Sequence, residues 1–198
     1  FKRPGTEYCG AVKTAGSATR LIAFKRSTST NYQLELGANY IRVWTGGTTP
    51  AQVVVSGVSA WVTATAYAIG DVRSSGGVNY WCRTAHTSGT FATDLVAGKW
   101  HAMTGTVFEF YSPYAAADLF QIQVCQINDV MFLAHPSYPP YRLSRTGDTS
   151  WAMAAITWDF APMGDTNDTS TTVTLQPNVP NWATATGYVI GDVRLNAG

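Results

Sequence analysis

Short alternations of apolar and polar residues, broken by turns, run along most of this chain and predict β-strands. Tyr32, Leu34 and Leu36 alternate with Gln33 and Glu35, the signature of a half-buried strand. Gly37-Ala38-Asn39 then turns the chain into a second strand over 40–44, so the pair reads as a hairpin. Segments 6–12, 20–24 and 53–55 read as further short strands, and 107–111 as another. Segment 129–134 has the continuous apolar character of a buried strand. Segments 141–145 and 151–160 form a hairpin across Gly147-Asp148, and 173–175 is a last strand. Pro136, Pro139 and Pro140 predict a rigid loop. One helix is predicted, over 115–121, because Ser112-Pro113 supplies an N-cap residue and a proline for the first helical position.

The segment 58–103 has a different texture. It carries Trp61, Trp81 and Trp100 among many Gly, Ser and Thr residues, and its strands must be short. Segments 69–73 and 78–83 flank Ser74-Ser75-Gly76-Gly77, a hairpin turn. Residues 61–73 recur at 182–194 with ten of thirteen positions identical. The copies lie much further apart than a solenoid period of about 20–50 residues. The pattern is that of one cassette placed at two loops of a larger domain. It divides the chain into 1–57 and 104–180 as parts of one β domain, 58–103 as an inserted module, and 181–198 as the start of a second module. The chain opens on Phe1 and stops at Gly198 inside that second copy, so it reads as a piece of a longer protein.

Composition narrows the function classes. Charged residues make up only 13% of the chain and the net charge is +1, so the surface is built from Ser, Thr, Asn and Gly, and no electrostatic nucleic-acid footprint is expected. No apolar run reaches the roughly 18 residues of a membrane span, and no signal peptide is visible. Cys9, Cys82 and Cys125 form no CxxC pair, which argues against zinc. They are expected to be ordinary buried thiols. The carboxylates show no glycosidase-like pairing, and the chain has no GxSxG, HExxH or P-loop motif. Asp165 and Asp168 do not fit an EF-hand, and Asn167-Asp168-Thr169 is a formal glycosylation sequon. The expectation is a non-enzyme without metal or cofactor.

Trp61, Tyr67, Gly70-Asp71-Val72, Tyr80 and Trp100 together resemble the small chitin- and cellulose-binding modules of carbohydrate-binding families 5 and 12. The resemblance implies a compact three-stranded β module whose exposed aromatic rings stack on sugar faces. The candidate carbohydrate-binding residues are Trp61, Tyr67, Tyr80, Trp81, His86 and Trp100. The family's adjacent Trp pair after the central strand is replaced here by Arg83-Thr84-Ala85-His86. Strand alternation puts Tyr80 and Trp81 on opposite faces, one in a core and the other exposed. The alternative is that Trp61, Tyr67 and Trp100 form the module's own minicore. His86 with Thr87-Ser88 reads as a loop-fixing cluster, and no carboxylate lies close in sequence to His86 or His101.

The flanking segments carry a second resemblance. In order come Lys2-Arg3-Pro4-Gly5-Thr6, residues 20–24, 32–37 and 40–43, then Ser112-Pro113-Tyr114, Asp118-Leu119, Gln126, Asp129-Val130, His135-Pro136, Pro139-Pro140, Leu143-Ser144-Arg145 and Trp151. This series resembles the tail nozzle, or tail tubular, proteins of short-tailed bacteriophages and prophages. It implies a β-propeller-like domain in a ring of identical subunits at the virion tail tip, contacting adaptor and fibre proteins. DNA would pass through the ring as cargo, and the modules would grip host surface glycans. Arg42 and Arg145 are expected to pair with carboxylates across blades, and Asp118 to face solvent. One alternative function is a secreted chitin-type binding protein, or the non-catalytic part of a polysaccharide-degrading enzyme; another makes the modules purely structural, as spacers or contacts with tail fibres, with their aromatics buried or in subunit contacts.

Overall fold

The structure is a computed structural model that describes residues 8–28, 30–46 and 50–157, together with 183, 184 and 187. The chain divides into two compact units, Phe1–Thr157 and Trp158–Gly198. In the second unit, Ala183, Thr184 and Gly187 are exposed. The predicted strand at 173–175 and nearly all of the second repeat, Trp182 included, lie outside the described residues.

The first unit is all-β in character. Its strands are β1 (Arg20–Lys25), β2 (Asn31–Gly37), β3 (Tyr40–Thr45), β4 (Ala66–Tyr67), β5 (Val72–Ser75), β6 (Val78–Cys82) and β7 (His86–Thr87). Helix α1 (Phe91–Val96) follows, then β8 (Trp100–Ala102) and β9 (Glu109–Tyr111). A single 3-10 turn at Leu119–Gln121 leads to β10 (Gln123–Ile127), β11 (Val130–His135), β12 (Tyr138–Gly147) and β13 (Ser150–Ala155).

Two four-stranded antiparallel sheets form the bulk of the unit, ordered β1-β2-β3-β9 and β10-β11-β12-β13. In the first, β2 and β3 are joined by the two-residue turn Ala38-Asn39, with Asn39 in the left-handed region at φ 62°. The inward faces of both sheets feed one core. Phe24, Leu34, Leu36, Ile41 and Phe110 come from the first sheet, and Met131, Leu133, Leu143, Trp151 and Met153 from the second. Trp151 sits at the junction, with ring centroids 4.9 Å from Phe24 and 5.6 Å from Tyr32.

Segment 58–103 lies in the connection between β3 and β9, the third and fourth strands of the first sheet. Its entry and exit legs pair with each other. Val54 bridges Val107, Val55 N–H donates to Thr106 at 2.8 Å, and Phe108 N–H donates to Val53 at 2.8 Å. Within the segment, β5-β6-β8 form a three-stranded sheet and β4-β7 a two-stranded one.

Several expectations from the sequence are corrected. Residues 115–121 form only the short 3-10 turn, because the run is too brief to propagate an α-helix and Leu119 and Ile122 are drawn into the core. The α-helix among the described residues is α1 instead, capped by Thr90. Pro139 and Pro140 lie inside β12, where a register shift between Leu133 and His135 accommodates them. Residues 8–12 form no strand, and 53–55 contribute an isolated bridge. Strand β10 has no counterpart in the sequence pattern. Glu35, which alternation assigns to the polar face, is fully buried and accepts hydrogen bonds from Tyr40 Oη at 3.0 Å and Trp44 Nε1 at 2.8 Å. Of the three cysteines only Cys82 is buried; Cys9 and Cys125 are exposed. Cys125 lies on an edge strand with little covering it on either side.

Candidate functional site

Alternation along β6 sends Tyr80 and Trp81 to opposite sides, but neither side is open water. Trp81 is 1% exposed and enters the main core, 5.6 Å from the Phe110 ring, and its Nε1 donates to the Trp151 carbonyl at 3.0 Å. Gly70 approaches the same carbonyl. A Cβ there would stand 2.7 Å from Trp151 O, and φ is +99°, so the Gly70-Asp71-Val72 turn seats against β13 only with glycine. Ile69 and Val72 pack on the same core.

The other face of β6 builds a second, smaller cluster. Tyr67, Cys82 and Trp100 form its buried centre, with Trp61, Tyr80 and Phe91 packed around them. The rings meet edge to face: Tyr67 on Trp100 at 5.1 Å, Tyr80 on Phe91 at 4.8 Å and Trp61 on Phe91 at 5.5 Å. Tyr67 Oη accepts from Val62 N at 2.8 Å and donates to Val62 O at 3.1 Å, closing the segment's first turn. The six candidate stacking residues are therefore fully or half buried. The expectation that one ring of the Tyr80-Trp81 pair is exposed is corrected, because each face of β6 has its own core to fill.

His86 bridges this cluster to α1. Its Nδ1 lies 2.7 Å from the Thr84 carbonyl, which can only accept, so Nδ1 carries the proton. Its Nε2 lies 3.4 Å from Asp94 Oδ2. Asp94 itself accepts from Lys99 Nζ at 2.8 Å and Gly89 N at 3.2 Å. The hydrogen bond from Lys99 is the main cause that holds the Asp94 carboxyl below its usual range. Cys82 Sγ lies 3.9 Å from His86 Nδ1, so a Cys-His-Asp line exists in space. Burial pushes the Cys82 thiol up to about 11, and Nδ1 already holds a proton, so the line supplies no thiolate near neutral pH. Ser88 fixes the adjacent loop through Val62 O at 2.8 Å and Thr65 N at 2.9 Å.

His101 also has a carboxylate that sequence distance hides. Glu109 is fully buried and accepts from His101 Nε2 at 3.0 Å, from Arg42 Nε at 2.9 Å, and from Lys13 Nζ. Burial pushes its carboxyl up, but the bonds from His101, Lys13 and Arg42 outweigh that and hold it below its ordinary value. Arg145 pairs with Asp148 at 2.7 Å and Asp129 at 3.4 Å, and donates to Tyr32 Oη at 2.7 Å. Both arginine–carboxylate pairings thus stay within one sheet rather than crossing between sheets, since Arg42 and Glu109 are register partners. Asp118 accepts from Tyr138 Oη at 2.6 Å and is half buried rather than solvent-facing.

Where segment 58–103 meets the end of β9 in the first sheet and strands β12 and β13 of the second, a cleft of about 350 Å³ remains. Ile69, Arg83 and Thr84 line it from one side; Tyr111, Tyr141 and Met153 line it from the other. The Arg83 guanidinium lies 3.4 Å from the centre of the Tyr111 ring. Burial is the main cause that raises the Tyr141 phenol. These cleft residues are scattered along the sequence, and only their shared cleft marks them.

Among the described residues, no group of three or more His, Cys, Asp or Glu could hold a metal ion, and no helix is long and apolar enough to cross a membrane. Fold and site define an all-β protein of several antiparallel sheets with an aromatic-rich segment inserted between two strands of one sheet. No protein-family model matches the chain, and no curated protein matches it.

Proposed function

We propose that this chain is a structural, non-catalytic component of a short-tailed bacteriophage tail, of the nozzle type. On this reading it carries a glycan-binding-like cassette that helps the virion attach to its host. The observation that carries the reading is the placement of segment 58–103. It hangs between two strands of one sheet, its legs pair with each other, and its scaffold residues are spent on seating it: Gly70 and Trp81 meet β13 at one carbonyl. That is the construction of a decoration on a platform. The two four-stranded antiparallel sheets suit blades of a β-propeller-like platform, whose neighbours would come from further chain or from other copies in a ring.

The motif series that resembles nozzle proteins supports the platform half. Lys2–Thr6 lie outside the described residues, but several described residues of the series are interior anchors: Tyr32 and Arg145 bond each other, Asp118 holds Tyr138, and Tyr114 and Trp151 are buried. Electron microscopy of the purified protein tests the reading. Rings of uniform subunit number, or attachment to tail particles, are expected. Monomers at every concentration, with no particle association, would overturn it.

A further inference from the structure

Five described arginines are half buried or buried: Arg20, Arg42, Arg73, Arg83 and Arg145. Four of them spend their donors on this protein. Arg20 bonds the Leu119 and Ile122 carbonyls at 2.8 and 2.7 Å, and Arg73 bonds the Val72 carbonyl at 2.7 Å. Arg42 and Arg145 hold carboxylates. Arg83 differs. Its backbone N–H is fixed on the Lys99 carbonyl at 2.7 Å and its guanidinium is stacked on Tyr111, yet among the described residues its side-chain N–H groups meet no acceptor. A planar donor fork held by stacking and left unpaired is pre-organised for an external acceptor, and its geometry matches a carboxylate.

The surroundings restrict what can carry that carboxylate. The cleft holds about 350 Å³, at the small end of ligand sites, which suits one or two rings rather than a folded partner. Ile69, Met153 and the Tyr111 and Tyr141 rings give it apolar walls, which fit the C–H face of a sugar. The hydroxyls of Tyr141 and Thr84 have no partner among the described residues, and the raised Tyr141 phenol keeps its proton to donate.

We infer that this cleft is a binding site for a carboxylate-bearing sugar of the uronic acid type, with Arg83 holding the carboxylate and Tyr141 and Thr84 holding ring hydroxyls. The inference rests on the glycan-binding reading of the cassette and sharpens it. It moves the contact from the segment's buried aromatic cluster to the seam where the segment meets both sheets.

Calorimetric titration of the whole chain at physiological ionic strength tests it. The probes are galacturonate and glucuronate oligosaccharides, neutral oligosaccharides of matching length, chitin oligosaccharides, and an oligoglutamate peptide. An acidic oligosaccharide is expected to bind saturably, and its neutral counterpart at least ~10-fold more weakly. Arg83→Gln is expected to lose about 10- to 100-fold in affinity, and Arg83→Lys less, because it keeps the charge but not the fork. Tyr141→Phe, which keeps the ring, gives a second reading independent of how Arg83→Gln folds, with an expected few-fold loss. Equal binding of acidic and neutral sugars overturns the inference. So does equal binding of oligoglutamate, which would mark a site that reads charge alone. Chitin binding insensitive to Arg83 would overturn the inference while leaving the glycan reading intact. No binding of any sugar would remove both and leave the tail-platform reading to the ring assay.

Discussion

Trp81 donates to the Trp151 carbonyl and Gly70 packs against the same oxygen, and this sets the cost of changing either. Gly70→Ala would place a methyl 2.7 Å from that oxygen at a φ that L-residues rarely adopt. We expect a loss of about 1–3 kcal/mol, measured by urea unfolding. Glu109 contributes to the response to acid, alongside Asp94 and Asp148, whose carboxyls are also held below their ordinary values. The folded-state pKa of Glu109 lies below the ordinary 4.5, so its stabilising contribution is fully present above that value and is lost as pH falls through the lowered folded-state value. The midpoint of urea unfolding should therefore drop as pH is lowered through that acidic window. Glu109→Gln should be less stable at neutral pH and flatter across the window; an unchanged slope would show that Lys13, Arg42 and His101 do not depend on the charge of Glu109.

Helix α1 is six residues long, too short to persist without its cap and its contacts. Thr90 accepts a hydrogen bond from Thr93 N, and Asp94 in the first turn reaches His86 and Lys99. Thr90→Ala should cost about 0.5–1 kcal/mol, visible as a drop of a few degrees in Tm by differential scanning calorimetry. Elements with local signals were legible in the sequence. The β2–β3 hairpin combines alternation with a two-residue turn, and the β12–β13 hairpin was read from its Gly147-Asp148 turn. Strand β10 was not legible, because most of its side chains stay exposed and no alternation records its pairing. Cap signals at Ser112-Pro113 overstated a helix whose apolar residues are recruited by the core instead. The candidate site was half legible. Alternation correctly separated Tyr80 from Trp81, but what covers each face is decided by Trp151 and Phe91, distant in sequence. The cleft depends on residues from 69 to 155, beyond any local pattern.

At the scale of the molecule, segment 58–103 and the two sheets depend on each other. Trp81 and Met103 fill the core of the sheets, and Ile69 and Val72 pack on it. The isolated segment should expose this apolar face and self-associate, which analytical ultracentrifugation would show. The complementary variant replaces residues 58–103 by a short turn. It should keep the far-ultraviolet signature of β-structure but lose several kcal/mol, since removing a buried Trp alone costs about 3–5 kcal/mol. Full retention of stability would mean that the segment is a passenger rather than a part of the core.

The paired legs also bear on how the chain finds its structure. Strands β3 and β9 are neighbours in the sheet but are separated by more than sixty residues of chain, since Arg42 faces Glu109. A contact so distant is slow to form from an open coil, because its ends must meet by diffusion before anything rewards them. Segment 58–103 changes that search. If its own short-range hairpins form first, its two ends are drawn together at Val54 and Val107, and the long intervening chain is expected to behave kinetically like a tight turn. On this expectation the aromatic-rich segment is also the clasp through which the fourth strand of the sheet reaches its place.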